Sequence, residues 1–197
     1  ADDQVRSNTM SDETRQLCDY AAAIRFDDLP PEVVRRAKDC IIDTIAAMIQ
    51  GGNLPWSRMV VEYVGATGRQ GHSTVFGHSA LRVDAAAAAL ANGASAHAFE
   101  MDCLTYPSAG THPGANLVPT GLAVAQEAGV SGADLITAVV AGCEVINRVG
   151  HATGTVQPAF HAPGILGPIG GATTSAHLLK LDAASLQNAI GIGASFG

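Results

Sequence analysis

The sequence contains few aromatic and few charged residues. It has five Phe, three Tyr and one Trp among 197 residues, and charged residues make up only 15% of it. A nucleic-acid surface needs clustered Lys and Arg, and the 11 basic residues form no such cluster. We therefore expect no nucleic-acid partner. The shortage of aromatic rings also argues against a sandwich built on aromatic pairs.

Cysteine is scarce as well, and neither a long apolar run nor a signal sequence is evident. The four cysteines, which form no Cys-x-x-Cys pair, are Cys18, Cys40, Cys103 and Cys143. This usage favours reduced thiols in a cytoplasmic protein over disulfides or a zinc site. The apolar run around residues 41–49 is too short for a membrane span, and the N-terminus lacks a charged-then-apolar pattern. We expect a cytoplasmic protein without membrane contact.

The sequence is rich instead in small residues. Apolar types make up 47% of it, with many Ala, and it also contains 22 Gly. Small side chains let helix backbones approach closely, and a chain of this length can bury one substantial core, so we expect an ordered domain of packed helices. The net charge of −7 means that a site for an anion has to be built from local donors.

Capping residues, prolines and the spacing of apolar residues predict an all-α, multi-helix fold. Residues 1–10 are polar and are predicted to be a flexible N-terminal segment, followed by one helical domain over residues 11–197. The glycine-rich stretch 65–83 is predicted to be a loop with a short extended piece. The fourth helix is predicted to cover residues 85–99. Eight helices are predicted, beginning near residues 12, 31, 55, 85, 113, 132, 163 and 183.

Two segments repeat one local design, in which a histidine stands just before a proline that suits the first turn of a helix. His112 directly precedes Pro113, and His161 stands two residues before Pro163. Each histidine would lie beside unpaired N–H groups and the positive end of a helix dipole. This environment favours a bound carboxylate and a neutral imidazole that can exchange protons. A single histidine of this kind is more often a polar loop residue, and the repetition favours a function.

A third group of polar residues lies at the end of the predicted fourth helix. His97 and Glu100 share a face if the helix continues, and Asp102 follows as it ends. A His-x-x-Glu pair could be half of a metal site. Carboxylate-bridged metal bundles use Glu-x-x-His more than once, and zinc hydrolases use His-Glu-x-x-His; neither spacing occurs here. The sequence therefore favours a site without metal.

These segments together predict a pocket of acids, bases and helix N-termini that suits proton transfer next to a carboxylate. The difficult step of such chemistry is formation of a carbanion or enediolate, which positioned donors stabilise. The predicted pocket consists of His97, Glu100, Asp102, Thr105, His112 and His161.

The order of several motifs resembles the MmgE/PrpD family. In that family a helix with the pattern NG…AH…(D/E)-x-D-D leads into HPG and (V/I)-x-P. The matching positions here are Asn92, Gly93, His97, Glu100, Asp102, the run 112–115 and Pro119. Later segments also fit in order, at 131–135, 141–145, Arg148, Gly150, 160–161, Gly164, 181–182 and 189–193. The resemblance covers about residues 14–197.

The resemblance implies an enzyme. Members include 2-methylcitrate dehydratase, cis-aconitate decarboxylase and iminodisuccinate epimerase, which use neither a metal nor an organic cofactor. They combine an all-α main domain with a smaller α+β lid domain, and they usually form dimers. By position, His112 and His161 match the two active-site histidines of the family, and Glu100 and Asp102 match its acidic positions. The chain then corresponds to the N-terminal portion of the helical domain, with the lid domain absent.

The chain departs from the family pattern at the site and in length. Cys103 stands where the family has a second Asp, and Leu104 stands at the usual threonine unless an insertion lets Thr105 take that role. Family members are longer and carry an active-site lysine in a later segment. Neither Lys38 nor Lys180 fits that motif. We therefore expect a homo-oligomer, or a companion chain that supplies the C-terminal half.

Two functional hypotheses follow. The first is a dehydratase, decarboxylase or epimerase subunit that acts on a small polycarboxylate. In it, His112 and His161 are acid–base groups or oxyanion donors, and the substrate is oriented by His97, Glu100, Asp102 and Thr105. The second is a non-catalytic helical module for ligand binding or assembly, a shortened family member that needs a partner chain.

Overall fold

The computed structural model describes residues 12–78, 80–105, 110–153 and 161–197. Within these ranges the chain forms eight α-helices, one short 3-10 turn and one two-stranded antiparallel sheet, so the prediction of an all-α, multi-helix fold is confirmed. The predicted flexible segment 1–10 lies outside the described residues. None of the helices in these ranges has both the length and the apolar character needed to cross a bilayer.

The elements are α1 (Glu13–Ala23), α2 (Pro31–Gly51), α3 (Pro55–Thr67), β1 (Ser73–Thr74), β2 (Arg82–Val83), α4 (Ala85–Ala96), α5 (Pro113–Ala128), α6 (Gly132–Ala152), α7 (Ala162–Leu178) and α8 (Ala183–Ala194).

Local sequence signals explain where the helices begin. Pro31 occupies the first turn of α2, where its missing N–H would have had no helical acceptor. Asp84 and Asp182 accept backbone N–H groups at the starts of α4 and α8. Ser131 and Asp134 form a capping box at the start of α6. Each of the eight helices begins within one residue of its predicted position.

Helices α5 and α7 pack side by side in parallel. Gly167 faces Asn116, and one turn further along both helices Gly171 faces Thr120. A Cβ atom at Gly167 would lie 2.7 Å from Oδ1 of Asn116, so glycine permits the close approach of the two backbones. Because the helices run in the same direction, their N-termini lie at the same end of the domain.

Helix α6 runs antiparallel to α7 and completes the packing around these two helices. Gly142 of α6 faces Thr174 of α7. One turn later on α6, Ile146 faces Gly170, which is one turn earlier on α7. Leu117 of α5 and Ile146 are completely buried in the same cluster. Protein interiors are packed as densely as organic crystals, so this cluster fixes the relative positions of α5 and α7.

Helix α4 ends at Ala96, so the prediction that it continues to residue 99 is wrong. His97 is its C-cap residue, residues 97–99 form a turn, and Glu100 beyond them has a φ of 53°, in the left-handed region. The chain turns there, and the turn brings Asp102 back to the ring of His97. A hydrogen bond between these two side chains therefore accompanies the early end of the helix.

Candidate active site

A buried carboxylate, that of Asp102, lies between two imidazoles. Its Oδ1 is 2.9 Å from Nδ1 of His97, and its Oδ2 is 3.1 Å from Nδ1 of His112. The Asp102 side chain has no exposure to solvent, whereas the His97 and His112 side chains are 24% and 16% exposed. A buried carboxylate is unfavourable unless it is hydrogen-bonded, so the two imidazoles stabilise Asp102 in this position.

The carboxylate determines which ring nitrogens face away from it. A carboxylate accepts hydrogen bonds and donates none, so Nδ1 of His97 and Nδ1 of His112 both carry hydrogen. In the neutral rings Nε2 then has a free lone pair that can accept a proton. Asp102 thus holds two imidazoles in a defined orientation and tautomer.

His161 brings a third imidazole to the group. Its ring centre lies 5.3 Å from that of His97, and the ring centre of His112 lies 4.8 Å from that of His97. His97 and His161 line a cleft of about 570 Å³ formed by residues of α4, α5 and α7. The three histidines predicted from the sequence therefore come together in space, although His161 is 49 positions beyond His112 in the chain.

Both histidine–proline segments start helices, as the sequence predicts. His112 is the N-cap residue of α5, and His161 is the N-cap residue of α7. Because α5 and α7 are parallel, the positive ends of two helix dipoles point toward the same group of imidazoles. These dipole ends favour a bound anion locally, although the net charge of the chain is −7.

Glu100 lies beside the imidazoles, and Thr105 lies further along the same loop. The Glu100 Oε1 is 3.9 Å from Nε2 of His97, and the Glu100 side chain is 72% exposed. Thr105 is half-buried, and its backbone N–H donates to the carbonyl of Thr111 at 3.1 Å. This bond joins the two ends of the loop that follows Asp102, so Thr105 helps to bring Asp102 toward the start of α5.

Cys103, at one of the altered family positions, faces the protein interior. Its Sγ lies against Gly114 in the first turn of α5, accepts the N–H of Gly114, and is close to the thiol of Cys40 on α2. Burial, together with Cys40, raises the pKa of the Cys103 thiol to about 12. The thiol is therefore neutral at pH 7. The described residues that line the cleft do not include Cys103.

Two polar residues of the cleft, Asn116 and Thr120, were not predicted from the sequence. They are one turn apart on the face of α5 that packs against the glycines of α7. Nδ2 of Asn116 is buried and has no hydrogen-bond partner in the part of the chain that the structure describes. A buried amide without a partner can donate to a ligand. The sequence itself shows only two polar residues one helical turn apart and, separately, a series of glycines at 164, 167, 170 and 171.

Comparison with known proteins agrees with the resemblance noted in the motifs. Residues 15–197 match the MmgE/PrpD N-terminal domain family. A cis-aconitate decarboxylase-like protein of Aspergillus oryzae is 30% identical over 189 residues, which cover 91% of this chain and 39% of that protein.

Cis-aconitate decarboxylases are also among the similar proteins. The one from Aspergillus terreus is 31% identical over 194 residues, covering 94% of this chain and 39% of that protein. The one from Homo sapiens is 28% identical over 186 residues, covering 89% of this chain and 38% of that protein. The chain thus spans about two fifths of the length of the curated relatives it matches.

Proposed function

Because the chain belongs to the MmgE/PrpD family, we propose that it forms the histidine-bearing part of a cofactor-independent lyase or epimerase active site for a small polycarboxylate. The observation that carries this proposal is the Asp102 carboxylate, buried between Nδ1 of His97 and Nδ1 of His112. An aspartate that fixes the orientation and tautomer of imidazoles beside a cleft is suited to general acid–base catalysis.

The proposed reaction removes or delivers a proton at a carbon next to a substrate carboxylate. In a dehydration the base takes this proton and an acid protonates the departing hydroxyl. In a decarboxylation carbon dioxide leaves and the acid protonates the resulting carbanion. His112 and His161 act as the acid–base groups or as donors to the developing enediolate. The residues that orient the substrate are His97, Glu100, Asp102 and Thr105.

The two helix N-termini give the proposed site its preference for carboxylates. The starts of α5 and α7 carry His112 and His161 and face the same group of rings. Substrate carboxylates would be held by these positive dipole ends and by Nδ2 of Asn116, which has no hydrogen-bond partner among the described residues. The similar proteins named as cis-aconitate decarboxylases make cis-aconitate the first substrate to test, and 2-methylcitrate and iminodisuccinate follow from the family.

The proposed partner is a second copy of this chain, with a companion chain as the alternative. Trp56, Met59 and Tyr63 lie three and four residues apart on α3 and are 54%, 69% and 60% exposed. Val61 and Val64 face the opposite way and are buried. A stripe of large exposed apolar residues on one helix face is typical of a protein interface.

A polycarboxylate panel followed by proton NMR tests the proposed function. The purified chain, alone and with any protein that co-purifies with it, is incubated with cis-aconitate, 2-methylcitrate and iminodisuccinate. We expect turnover of one of them and a fall of about 10²–10⁴-fold in kcat for both His112→Ala and His161→Ala, the range for loss of an acid–base group. His151→Ala, at an exposed residue near the end of α6, is the matched control and should retain activity.

Two outcomes would refute the enzyme proposal. One is full activity in both His112→Ala and His161→Ala. The other is binding of a polycarboxylate without turnover by the chain and by its assembly with co-purifying protein, which favours the non-catalytic ligand-binding or assembly module.

A further inference from the structure

We propose that His97, Glu100 and His161 bind a zinc ion beside the cleft. One ligand atom from each of the three residues can be chosen so that all three lie within 4.8 Å of one another. Two imidazoles and one carboxylate are a donor set that Zn²⁺ uses in proteins, with a fourth position left open. The third ligand comes from the start of α7, 61 positions beyond Glu100, so the spacing of the sequence does not reveal the set.

His97 already has the arrangement of a zinc-binding histidine. Its Nδ1 is 2.9 Å from Oδ1 of the buried Asp102 carboxylate. Its Nε2 is buried and has no hydrogen-bond partner among the residues that the structure describes. Zinc-bound histidines almost always donate their second ring N–H to a carboxylate or carbonyl, which fixes the tautomer and increases ligand basicity. Nε2 of His97 therefore offers a lone pair in a fixed direction, with Asp102 as its support.

Glu100 lies near this lone pair and has an unfavourable backbone conformation. Its φ of 53° is in the left-handed region, which non-glycine residues rarely adopt, and its Oε1 is 3.9 Å from Nε2 of His97. Backbone strain of this kind is concentrated at functional sites. The Glu100 side chain is 72% exposed, so its carboxylate can rotate without disturbing the core.

The movement needed to close the site is small. Tetrahedral zinc at about 2.0–2.2 Å from each ligand places ligand atoms roughly 3.4 Å apart. The Glu100 and His161 side chains are both exposed and can make this adjustment, whereas His97 is fixed by Asp102.

A second possible set, His97, Asp102 and His112, is a poorer site. Its ligand atoms also lie within 4.8 Å of one another, but Nδ1 of each ring is already hydrogen-bonded to Asp102. Zinc there would have to break both hydrogen bonds and lose the support that they give to Asp102. The structure therefore favours the set that contains Glu100.

Zinc at this position would inhibit the proposed reaction. It would occupy His161, which the proposed function uses as an acid–base group, and it would lie against the part of the cleft that His97 and His161 line. The ion is thus a ligand that competes with the polycarboxylate. Its binding can be measured without substrate, so it can fail or succeed independently of the proposed function.

Titration of the purified, tag-free chain with ZnCl₂ by calorimetry, and with CoCl₂ by visible absorption, tests the site. We expect one Zn²⁺ per chain and the visible bands of four- or five-coordinate Co²⁺. Glu100→Gln and His161→Asn should each weaken zinc binding by more than about tenfold, since even a supporting residue outside the coordination sphere is worth about 10–100-fold. Because Glu100 is exposed, its replacement should leave the fold intact. Far-UV circular dichroism checks that each variant keeps the helical fold.

Two control variants distinguish this site from zinc binding elsewhere on the chain. His112→Asn removes a ligand only from the alternative set and should leave zinc bound, and His151→Asn tests for binding to an exposed surface histidine. The proposal is overturned by absence of zinc binding, by unchanged affinity in Glu100→Gln, or by loss of binding in His151→Asn.

Discussion

At the scale of single residues, the site depends on Asp102. Its carboxylate is the acceptor for two ring nitrogens, and it has no exposure to solvent. The sequence predicted Asp102 as a residue that orients the substrate, through the family motif. That its direct contacts are His97 and His112 could not be predicted, because the early end of α4 creates the turn that brings it to them.

Asp102→Asn should greatly reduce activity while the fold is kept. An asparagine amide donates as well as accepts, so at one of the two imidazoles Nδ1 would become an acceptor and Nε2 would carry the hydrogen. We expect kcat on the polycarboxylate substrate to fall by about 10²–10³-fold, within the range for an acid–base group. The measurement is steady-state kinetics, with circular dichroism to check the fold.

Asp19→Asn is the control for this change, because Asp19 is an exposed aspartate on α1. It should leave kcat within about twofold of the wild-type value, since surface changes away from special features have small effects. Nearly wild-type kcat in Asp102→Asn would show that the fixed tautomer is not needed.

At the scale of secondary-structure elements, close helix contacts depend on glycine. Gly51, at the end of α2, packs on the backbone carbonyl of Ser95 in α4, and a Cβ there would overlap that oxygen. Gly51→Ala should therefore destabilise the protein by about 1–3 kcal/mol, the usual cost of overpacking. Gly191 is on the exposed side of α8, and a Cβ there would have no atom of the described residues within 4 Å. Gly191→Ala should stabilise by up to about 1 kcal/mol through helix propensity.

Urea unfolding followed by circular dichroism measures both glycine variants. Opposite shifts of the unfolding midpoint are expected, downward for Gly51→Ala and upward for Gly191→Ala. Equal shifts in the same direction would mean that contact with Ser95 does not set the requirement for glycine at position 51.

His177 links α7 to the end of α1 and makes stability depend on pH. Its Nε2 is 3.2 Å from the carbonyl of Ile24, and burial lowers the pKa of its imidazole below the ordinary value. The pKa of this histidine in the unfolded chain is about 6.5. As the pH falls through that value, the unfolded chain binds a proton more readily than the folded chain does. The stability associated with neutral His177 is complete above that pH and is lost as the pH falls toward the lower folded pKa.

His177→Gln should remove this part of the pH dependence. The free energy of unfolding, measured in urea at pH 7.5 and pH 5.5, should fall less between the two values in the variant than in the wild type. His151→Gln, at an exposed histidine, should keep the wild-type difference. A wild-type pH dependence in His177→Gln would mean that other groups cause it.

The sequence predicted the helices well because caps and prolines act locally. Pro31 and the Ser131 capping box set helix starts that need no tertiary information. The predicted end of α4 was wrong because residues 97–102, which form the turn that brings Asp102 to His97, contain no glycine or proline to mark it. Asn116 was missed because the cleft exists only once α5 and α7 are packed together.

At the scale of the whole molecule, we expect self-association through α3. Met59→Lys places a charge in the middle of the exposed stripe between Trp56 and Tyr63. Because burying an unpaired charge is unfavourable, the variant should be monomeric at concentrations where the wild type is a dimer. Analytical ultracentrifugation measures the difference. Asn188→Lys, an exposed position on α8, adds the same charge elsewhere and should keep the wild-type state.

A monomeric wild-type chain, or a Met59→Lys variant that associates as strongly as the wild type, would rule out the proposed role of α3. Recovery of a stoichiometric companion chain with the wild type, identified by mass spectrometry, would favour the companion-chain alternative over a second copy.

The central claim is that the imidazole of His112, held by Asp102, takes part in proton transfer at a carbon next to a carboxylate. Incorporation of solvent deuterium into the product that forms from cis-aconitate in D₂O, followed by NMR, tests it most directly. The assembled wild-type protein should introduce deuterium at that carbon, and Asp102→Asn should do so at least about tenfold more slowly. Absence of deuterium with the assembled wild-type protein, or equal incorporation by Asp102→Asn, would contradict the claim.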